Sequence, residues 1–151
     1  MLAGAEIWNE HGRWVEQNGQ HLAEDVLTRF MAASRVTSDE VECEQAVRNT
    51  AATTLNELLA GDSMILMPTV PGAAPLCNDT EEAFDIERHR VQLLVSPAGV
   101  AGLPQVSLPW IDVDGAPVGL SVIGARGNDG AVIEAAKLLD KLIASGQQRA
   151  D

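Results

Sequence analysis

The sequence predicts an α/β fold with roughly four helices and three short strands. Long stretches near both ends carry apolar residues every three or four positions, the pattern of a helix with one buried face. A short, unbroken apolar run lies between them. Two further runs alternate apolar and polar residues on either side of a turn signal, which is typical of paired strands.

The first helical region extends over residues 5–33 in two pieces, separated at Asn18 and Gly19. Thr37 and Glu40 then fit a capping box. In such a box the Thr37 hydroxyl accepts the Glu40 backbone N–H, and the Glu40 carboxylate accepts the Thr37 backbone N–H. A helix is predicted to begin there and to end before Gly61, and its apolar face comprises Val47, Ala51, Leu55, Leu58 and Leu59.

Residues 63–68 form the unbroken apolar run, which lies between Gly61 and Pro68 and is too short for a helix. Such a run is typical of a strand covered on both faces. Residues 69–80 contain prolines and a glycine and are predicted to form a loop, after which residues 81–94 resume a helical pattern.

Residues 106–110 and 118–122 are the alternating runs and predict a hairpin around residues 112–115. Because Pro109 has no N–H to donate, its strand is expected at a sheet edge, or bulged at that point. Asn128 is a candidate cap for the last helix, whose predicted apolar face comprises Val132, Ala135, Leu139 and Ile143.

The 151 residues match the size of one domain. However, three strands, one of them apolar on both faces, require more sheet and more covering helices than the remaining sequence supplies. Two alternatives follow. Part of the fold lies on another polypeptide, or a three-stranded sheet with helices on one side forms a small independent domain.

The formal net charge is −12, from 22 acidic and 10 basic residues. This charge repels phosphate backbones and anionic lipid headgroups, so neither nucleic acid nor a membrane is expected as a partner. No run of about 18 apolar residues occurs, and a cytoplasmic location is expected. Cys43 and Cys77 are expected to be reduced, and the three histidines lack paired metal-ligand spacing, so no metal or other cofactor is expected.

Three segments resemble the carboxy-terminal part of the amidase signature family: MPTVP at 67–71, PAGVAGLPQVSLP at 97–109 and DGAPVGLSVIG at 114–124. They occur in the family's order, and the resemblance extends over residues 6–142. It implies a large α/β fold in which helices cover a mixed sheet. Residues 1–151 would be a carboxy-terminal segment of that domain, without its amino-terminal catalytic part.

The resemblance also implies hydrolysis of carbon–nitrogen amide bonds by two serines and a lysine that lie in the amino-terminal part of the family. No two serines of this chain are adjacent, and its only lysines, Lys137 and Lys141, fall in the last helix. We therefore expect no catalytic residue here and no activity of the chain alone. Its expected role is scaffold and substrate-pocket wall, with the proline- and glycine-rich residues 95–110 in the wall.

Two substrate-binding positions follow from the resemblance to glutamine-using amidotransferases, in which an arginine and an acidic residue hold the charged ends of the amino acid. Spacing places the arginine at Arg29 and the acidic residue at Gln92. Because Gln92 is neutral, it forms no ion pair with an α-ammonium group, which favours a different small amide or a urea-like substrate. Arg29 either binds a carboxylate or is an ordinary helix-surface arginine.

Two other functions are compatible with the sequence. The chain could be a non-catalytic subunit or interaction module that complements an amino-terminal partner chain, or it could form a homodimer, since strand 63–68 is apolar enough to invite docking. A weaker alternative is an anion-binding module, in which residues 124–128 lead into the start of the last helix.

Overall fold

The computed structural model describes residues 2–113 and 115–147. The chain divides into an amino-terminal unit that ends at Thr50 and a carboxy-terminal unit that begins at Ala51. The described residues form five α-helices and three strands. The count exceeds the roughly four helices expected because residues 2–33 form two separate helices.

The amino-terminal unit contains α1 (Leu2–Asn18), a short 3₁₀ helix (Gly19–His21), α2 (Glu24–Ala33) and the first part of α3 (Ser38–Leu58). The predicted break at Asn18 is confirmed. There the Asn18 side chain donates from Nδ2 to the Trp14 carbonyl oxygen at 2.9 Å, which satisfies one acceptor of the last turn of α1. Val15 of α1 is buried in this unit.

The predicted capping box at the start of α3 is confirmed. The Thr37 backbone N–H donates to Glu40 Oε2 at 2.8 Å, and the Glu40 backbone N–H donates to Thr37 Oγ1 at 3.3 Å. The Thr37 hydroxyl also donates to Glu40 Oε2, at 2.9 Å. The pKa of Glu40 lies below its ordinary value, first because of the backbone N–H of Thr37 and second because of the Thr37 hydroxyl.

This depressed pKa makes the start of α3 sensitive to acid. Because the folded-state pKa of Glu40 is lowered, its stabilisation is present above the ordinary glutamate pKa of about 4.3 and is lost as pH falls through the lower folded value. Thr37→Ala removes the hydroxyl but keeps the backbone N–H, so the Glu40 pKa should rise part of the way to its ordinary value. The side-chain carboxyl ¹³C shift of Glu40, followed from pH 7 to pH 2, measures this change. Ser145→Ala, at the other end of the chain, should leave the titration curve unchanged, and an unchanged curve in Thr37→Ala would contradict the capping role.

The carboxy-terminal unit contains the end of α3, then β1 (Ile65–Pro68), α4 (Glu81–Ala101), β2 (Gln105–Val113), β3 (Ala116–Ile123) and α5 (Asp129–Gln147). The strands form one sheet in the order β1-β3-β2. Both strand pairs are antiparallel. The predicted hairpin is therefore β2-β3, with the central strand last in sequence.

Strand β2 is both an edge strand and bulged, so the two expectations for Pro109 are confirmed together. Pro109 pairs with Gly119 and Ile111 pairs with Val118, which leaves Trp110 as the extra residue of the bulge. In the turn that follows, the Gly115 backbone N–H donates to Asp112 Oδ1. Asp114, which belongs to the third family-like segment, lies outside the described residues.

The sheet is covered on its two faces by different helices. On one face Ile123 packs in a core with residues from the end of α3, the end of α4 and the following loop, namely Leu59, Ala98, Ala101 and Leu103. On the other face Val122 packs against Val132 and Ala136 of α5. Alternation along β3 thus supplies both cores, because successive side chains point to opposite faces.

The prediction that residues 63–68 form a strand covered on both faces is wrong for this chain. Ile65 and Met67 are half-buried against the first core, but Leu66 is 55% exposed. The reason is position: β1 is the edge strand next to β3, and α5 packs over β2 and β3. Among the described residues, one face and one edge of β1 therefore remain open.

The prediction that the fourth helical stretch ends at Leu94 is also wrong, because α4 continues through Pro97 to Ala101. Pro97 has no N–H for the Leu93 carbonyl, but the Ser96 hydroxyl donates to that oxygen at 3.1 Å. The helix ends at Gly102, whose φ of 63° is left-handed, and the Leu103 N–H closes the end by donating to Ala98 O at 2.9 Å.

Candidate functional site

The three segments that carry the family resemblance converge on one sheet. Residues 67–71 include the end of β1, residues 97–109 include the end of α4 and the first part of β2, and residues 115–124 contain β3. Because the sheet order is β1-β3-β2, the third segment lies between the other two. Segments separated by up to 57 positions in sequence, such as 67 and 124, are thereby neighbours in space.

A cluster of uncharged polar side chains lies where these segments meet. Ser121 is completely buried, and its Oγ lies 2.8 Å from Thr69 Oγ1 and 3.2 Å from Ser107 Oγ. Gln105 donates from Nε2 to the same Ser121 oxygen at 2.7 Å. The Thr69 and Ser107 hydroxyl oxygens are 3.4 Å apart. We call these four residues the hydroxyl cluster.

Strand register places the hydroxyl cluster on one face. Met67 and Ser107 are the partners of Ser121 on the two neighbouring strands, and Gln105 pairs with Ile123, so these side chains project to the same side of the sheet. Thr69 follows β1 and is held by its backbone N–H, which donates to Gly119 O at 2.8 Å. A Cβ at position 119 would lie 2.8 Å from Thr69 Oγ1, so glycine permits this close approach.

The cluster suits hydrogen bonding rather than proton transfer. In the part of the chain that the structure describes, its hydroxyls bond to other hydroxyls and to one carboxamide. A serine nucleophile requires a base beside it. Lys137 instead pairs with Glu134 on α5, with 2.8 Å between Nζ and Oε1, and its side chain is largely exposed. Over residues 2–113 and 115–147, no group of three or more His, Cys, Asp or Glu side chains could hold a metal ion.

Arg29 lies on the exposed side of α2 in the amino-terminal unit. Its Nη2 forms an ion pair with Asp25, and its Nε donates to the Asp25 carbonyl oxygen at 3.2 Å. It also borders an open, mostly apolar cavity of about 250 Å³, whose other lining residues are Gly4, Ile7, Val26, Phe30 and Ala33. The guanidinium is thus placed beside an apolar groove, and its carboxylate-binding role remains a prediction.

Gln92 lies on the exposed surface of α4, in the carboxy-terminal unit. Arg29 and Gln92 thus belong to different units. The pairing of these two residues around one substrate remains a prediction.

The sequence did not single out the hydroxyl cluster. One signal was available: Ser107 and Ser121 lie at equal distances from the hairpin turn at position 114, which predicts that they are cross-strand partners. No local pattern connects Thr69 or Gln105 to them, since those contacts depend on strand order and on the approach of β1 to Gly119.

Other features of the described residues carry no chemistry of their own. Cys43 and Cys77 are unpaired and exposed. Asp85, one helical turn from His89, forms its ion pair with Arg88, at 3.0 Å between Oδ1 and Nη1. Within residues 2–113 and 115–147, no helix is both long and apolar enough to cross a membrane.

Comparison with known proteins gives consistent results at the level of family and fold. The family model for Amidase matches residues 8–133. The chain is similar to Amidase 1 of Arabidopsis thaliana, with 30% identity over 144 residues, 95% of this chain and 33% of that protein. It is also similar to a glutamyl-tRNA(Gln) amidotransferase polypeptide of Thermotoga maritima, with 34% identity over 95 residues, 63% of this chain and 20% of that protein.

A crystal structure of an amidase shares the fold. It superposes with a TM-score of 0.81 at 24% identity, over 94% of this chain and 34% of that one. The chain thus spans about a third or less of the proteins that it matches. The three converging segments, the matched family model and the shared fold together show that this chain belongs to the amidase signature family.

Proposed function

We propose that this chain is the carboxy-terminal portion of an amide hydrolase, in which it forms scaffold and one wall of the substrate pocket. The observation that carries the proposal is the hydroxyl cluster at the junction of the three family-like segments, which has polar groups for binding but, among the described residues, only neutral oxygens as proton acceptors. A pocket wall requires rigid, shaped backbone with a few convergent polar groups. The β-hairpin and the Thr69 contact supply both.

The reactive groups are proposed to lie on another stretch of polypeptide. There a serine, activated through a second serine and a lysine, would attack the amide carbon, expel the amine and leave an acyl-serine that water hydrolyses. Backbone N–H groups beside that serine would stabilise the oxyanion. On this proposal the present chain contributes no atom to the bonds that form and break, and it is inactive alone.

The open edge of β1 is the proposed point of attachment for that polypeptide. Strand β2 protects the opposite edge of the sheet with Pro109 and a bulge, which are common devices against strand addition. β1 is short but carries no charged residue, and Leu66 is exposed on its uncovered face. An amino-terminal partner segment that covers Leu66 would bury this surface and complete the sheet.

The substrate is proposed to be a small amide or a urea-like compound. Gln92 is neutral and exposed, so it offers no carboxylate for an α-ammonium group, whereas Arg29 stays available as a binding residue for a carboxylate. Glutamine-dependent amide transfer, which the name of the Thermotoga maritima relative suggests for that protein, is therefore the less favoured activity for this chain.

Reconstitution tests the proposal. The chain is assayed for hydrolysis of simple aliphatic and aryl amides, alone and after mixing with an amino-terminal amidase polypeptide that carries the Ser-Ser-Lys residues. We expect no turnover above background from either chain alone and measurable turnover from the mixture. The matched control is the same partner with its nucleophilic serine replaced by alanine, which should bind but not hydrolyse. Turnover by the isolated chain would overturn the proposal.

A second candidate function is a non-catalytic interaction module, which the open, apolar edge of β1 also favours. The same experiment separates the two. A stable complex that remains inactive with an otherwise competent partner supports the interaction module. Self-association of the chain, measured by sedimentation, would point instead to a homodimer.

A further inference from the structure

The hydroxyl cluster is buried at its centre and open at its margin. Ser121 is completely buried, Thr69 and Gln105 are half-buried, and Ser107 is exposed. Ser121 therefore links the strands, while the other three side chains border solvent on the same face of the sheet. This arrangement distinguishes the cluster from a fully enclosed network, whose only role is to satisfy its own polar atoms.

The margin of the cluster keeps donors and acceptors that its internal hydrogen bonds do not use. Ser121 has one proton and two lone pairs. One lone pair accepts from Gln105, and its remaining capacity is used by the two hydroxyls at 2.8 and 3.2 Å. The contact between Thr69 and Ser107, at 3.4 Å, is at the limit of a hydrogen bond. Those two hydroxyls thus retain lone pairs, and one retains a proton directed away from Ser121. The Gln105 carboxamide adds an acceptor oxygen and a second N–H.

Thr69 is fixed in place before any ligand binds. Its backbone N–H donates to Gly119 O at 2.8 Å, and the absent side chain at Gly119 leaves the space in which Oγ1 lies. Its hydroxyl is held again by Ser121. A hydroxyl that is already oriented loses little entropy when it binds a ligand, so it contributes more to affinity and selectivity than a mobile one.

The available groups are donors and acceptors without formal charge. They match a planar neutral group that presents both N–H and C=O, such as a carboxamide or a urea, better than an ion of the same size. We infer that Thr69, Ser107 and Gln105 form a subsite that holds the carboxamide or urea group of the ligand, with Thr69 as the residue that determines selectivity. This inference rests on the proposed function, since it assigns a substrate group to the proposed pocket wall.

The test measures binding by the isolated chain, without any partner. The side-chain NH₂ signals of Gln105 and the backbone signals of Thr69 and Ser107 are followed by NMR during titration with acetamide or urea, and separately with acetate, which matches acetamide in size but is charged. We expect saturable shifts with acetamide and urea, and none of comparable size with acetate. Thr69→Val, which keeps the shape but removes the hydroxyl, should weaken binding by roughly 3- to 10-fold, the effect of one hydrogen bond.

Matched variants keep the test decisive. Thr69→Ser should retain binding, and Ser145→Ala, which removes a hydroxyl on α5 that donates to Leu142 O, should not change it. If Thr69→Val does not fold, Ser107→Ala at the exposed margin replaces it, with a similar loss expected. Equal shifts with acetate, no saturable shift with either amide, or unchanged affinity in the folded variants would overturn the inference. Reconstituted turnover without such binding would overturn the subsite but not the proposed function, and binding without turnover would do the reverse.

Discussion

Replacing Ile123 with alanine is expected to lower the free energy of unfolding of the carboxy-terminal unit by about 2 to 5 kcal/mol. Ile123 is 0% exposed and joins β3 to the core that Leu59, Ala98, Ala101 and Leu103 form on this face of the sheet. The truncation removes apolar contacts with two helical segments at once and leaves a cavity, because a dense core relaxes only in part. Urea denaturation followed by circular dichroism measures the loss.

The matched control for Ile123 is Ile133→Ala. Ile133 lies on α5 and is 46% exposed, so the same truncation should cost much less. Equal losses in the two variants would contradict the two-layer core. A small loss in Ile123→Ala would indicate that this face of β3 is not the centre of the unit.

Leu66→Lys is expected to abolish reconstitution with the amino-terminal partner while leaving the isolated chain almost as stable as before. Leu66 is exposed in this chain, so a lysine there remains hydrated, and surface substitutions of this kind usually change stability by about 0.5 kcal/mol or less. In the proposed complex the same position is covered by apolar surface. A lysine in that position would be buried without a partner, a change that costs several kcal/mol.

Turnover of the reconstituted mixture, together with urea denaturation of the isolated variant, separates these two effects. We expect a loss of at least tenfold in the fraction assembled, which corresponds to about 1.4 kcal/mol. Leu142→Lys makes the same change at an exposed position of α5 and serves as the control. If Leu66→Lys assembles as well as the unmodified chain, β1 is not the point of attachment.

Elements governed by local interactions were predictable from the sequence. The capping box at Thr37 and Glu40 and the break at Asn18 depend on contacts within four residues, and both are present. The hairpin was predictable because its alternation and its turn residues agree. Pro109 even indicated the edge position and the bulge, since a residue without an N–H is excluded from a regular central ladder.

Features that depend on distant neighbours were not predictable in the same way. The apolar run of β1 indicates two covered faces, but α5 covers β2 and β3, so Leu66 remains exposed. Pro97 suggested a helix boundary, yet the Ser96 hydroxyl satisfies the Leu93 carbonyl and the helix continues. The hydroxyl cluster joins residues 52 positions apart, so it emerges only when the strand order is known.

Covalent labelling of the reconstituted complex tests most directly whether the reactive groups lie outside this chain. The complex is treated with a serine-directed fluorophosphonate, and both polypeptides are digested and analysed by mass spectrometry. The account predicts that activity is lost in step with one adduct on a serine of the amino-terminal polypeptide, with Ser107 and Ser121 unmodified. An adduct on a serine of this chain that accompanies the loss of activity would contradict it.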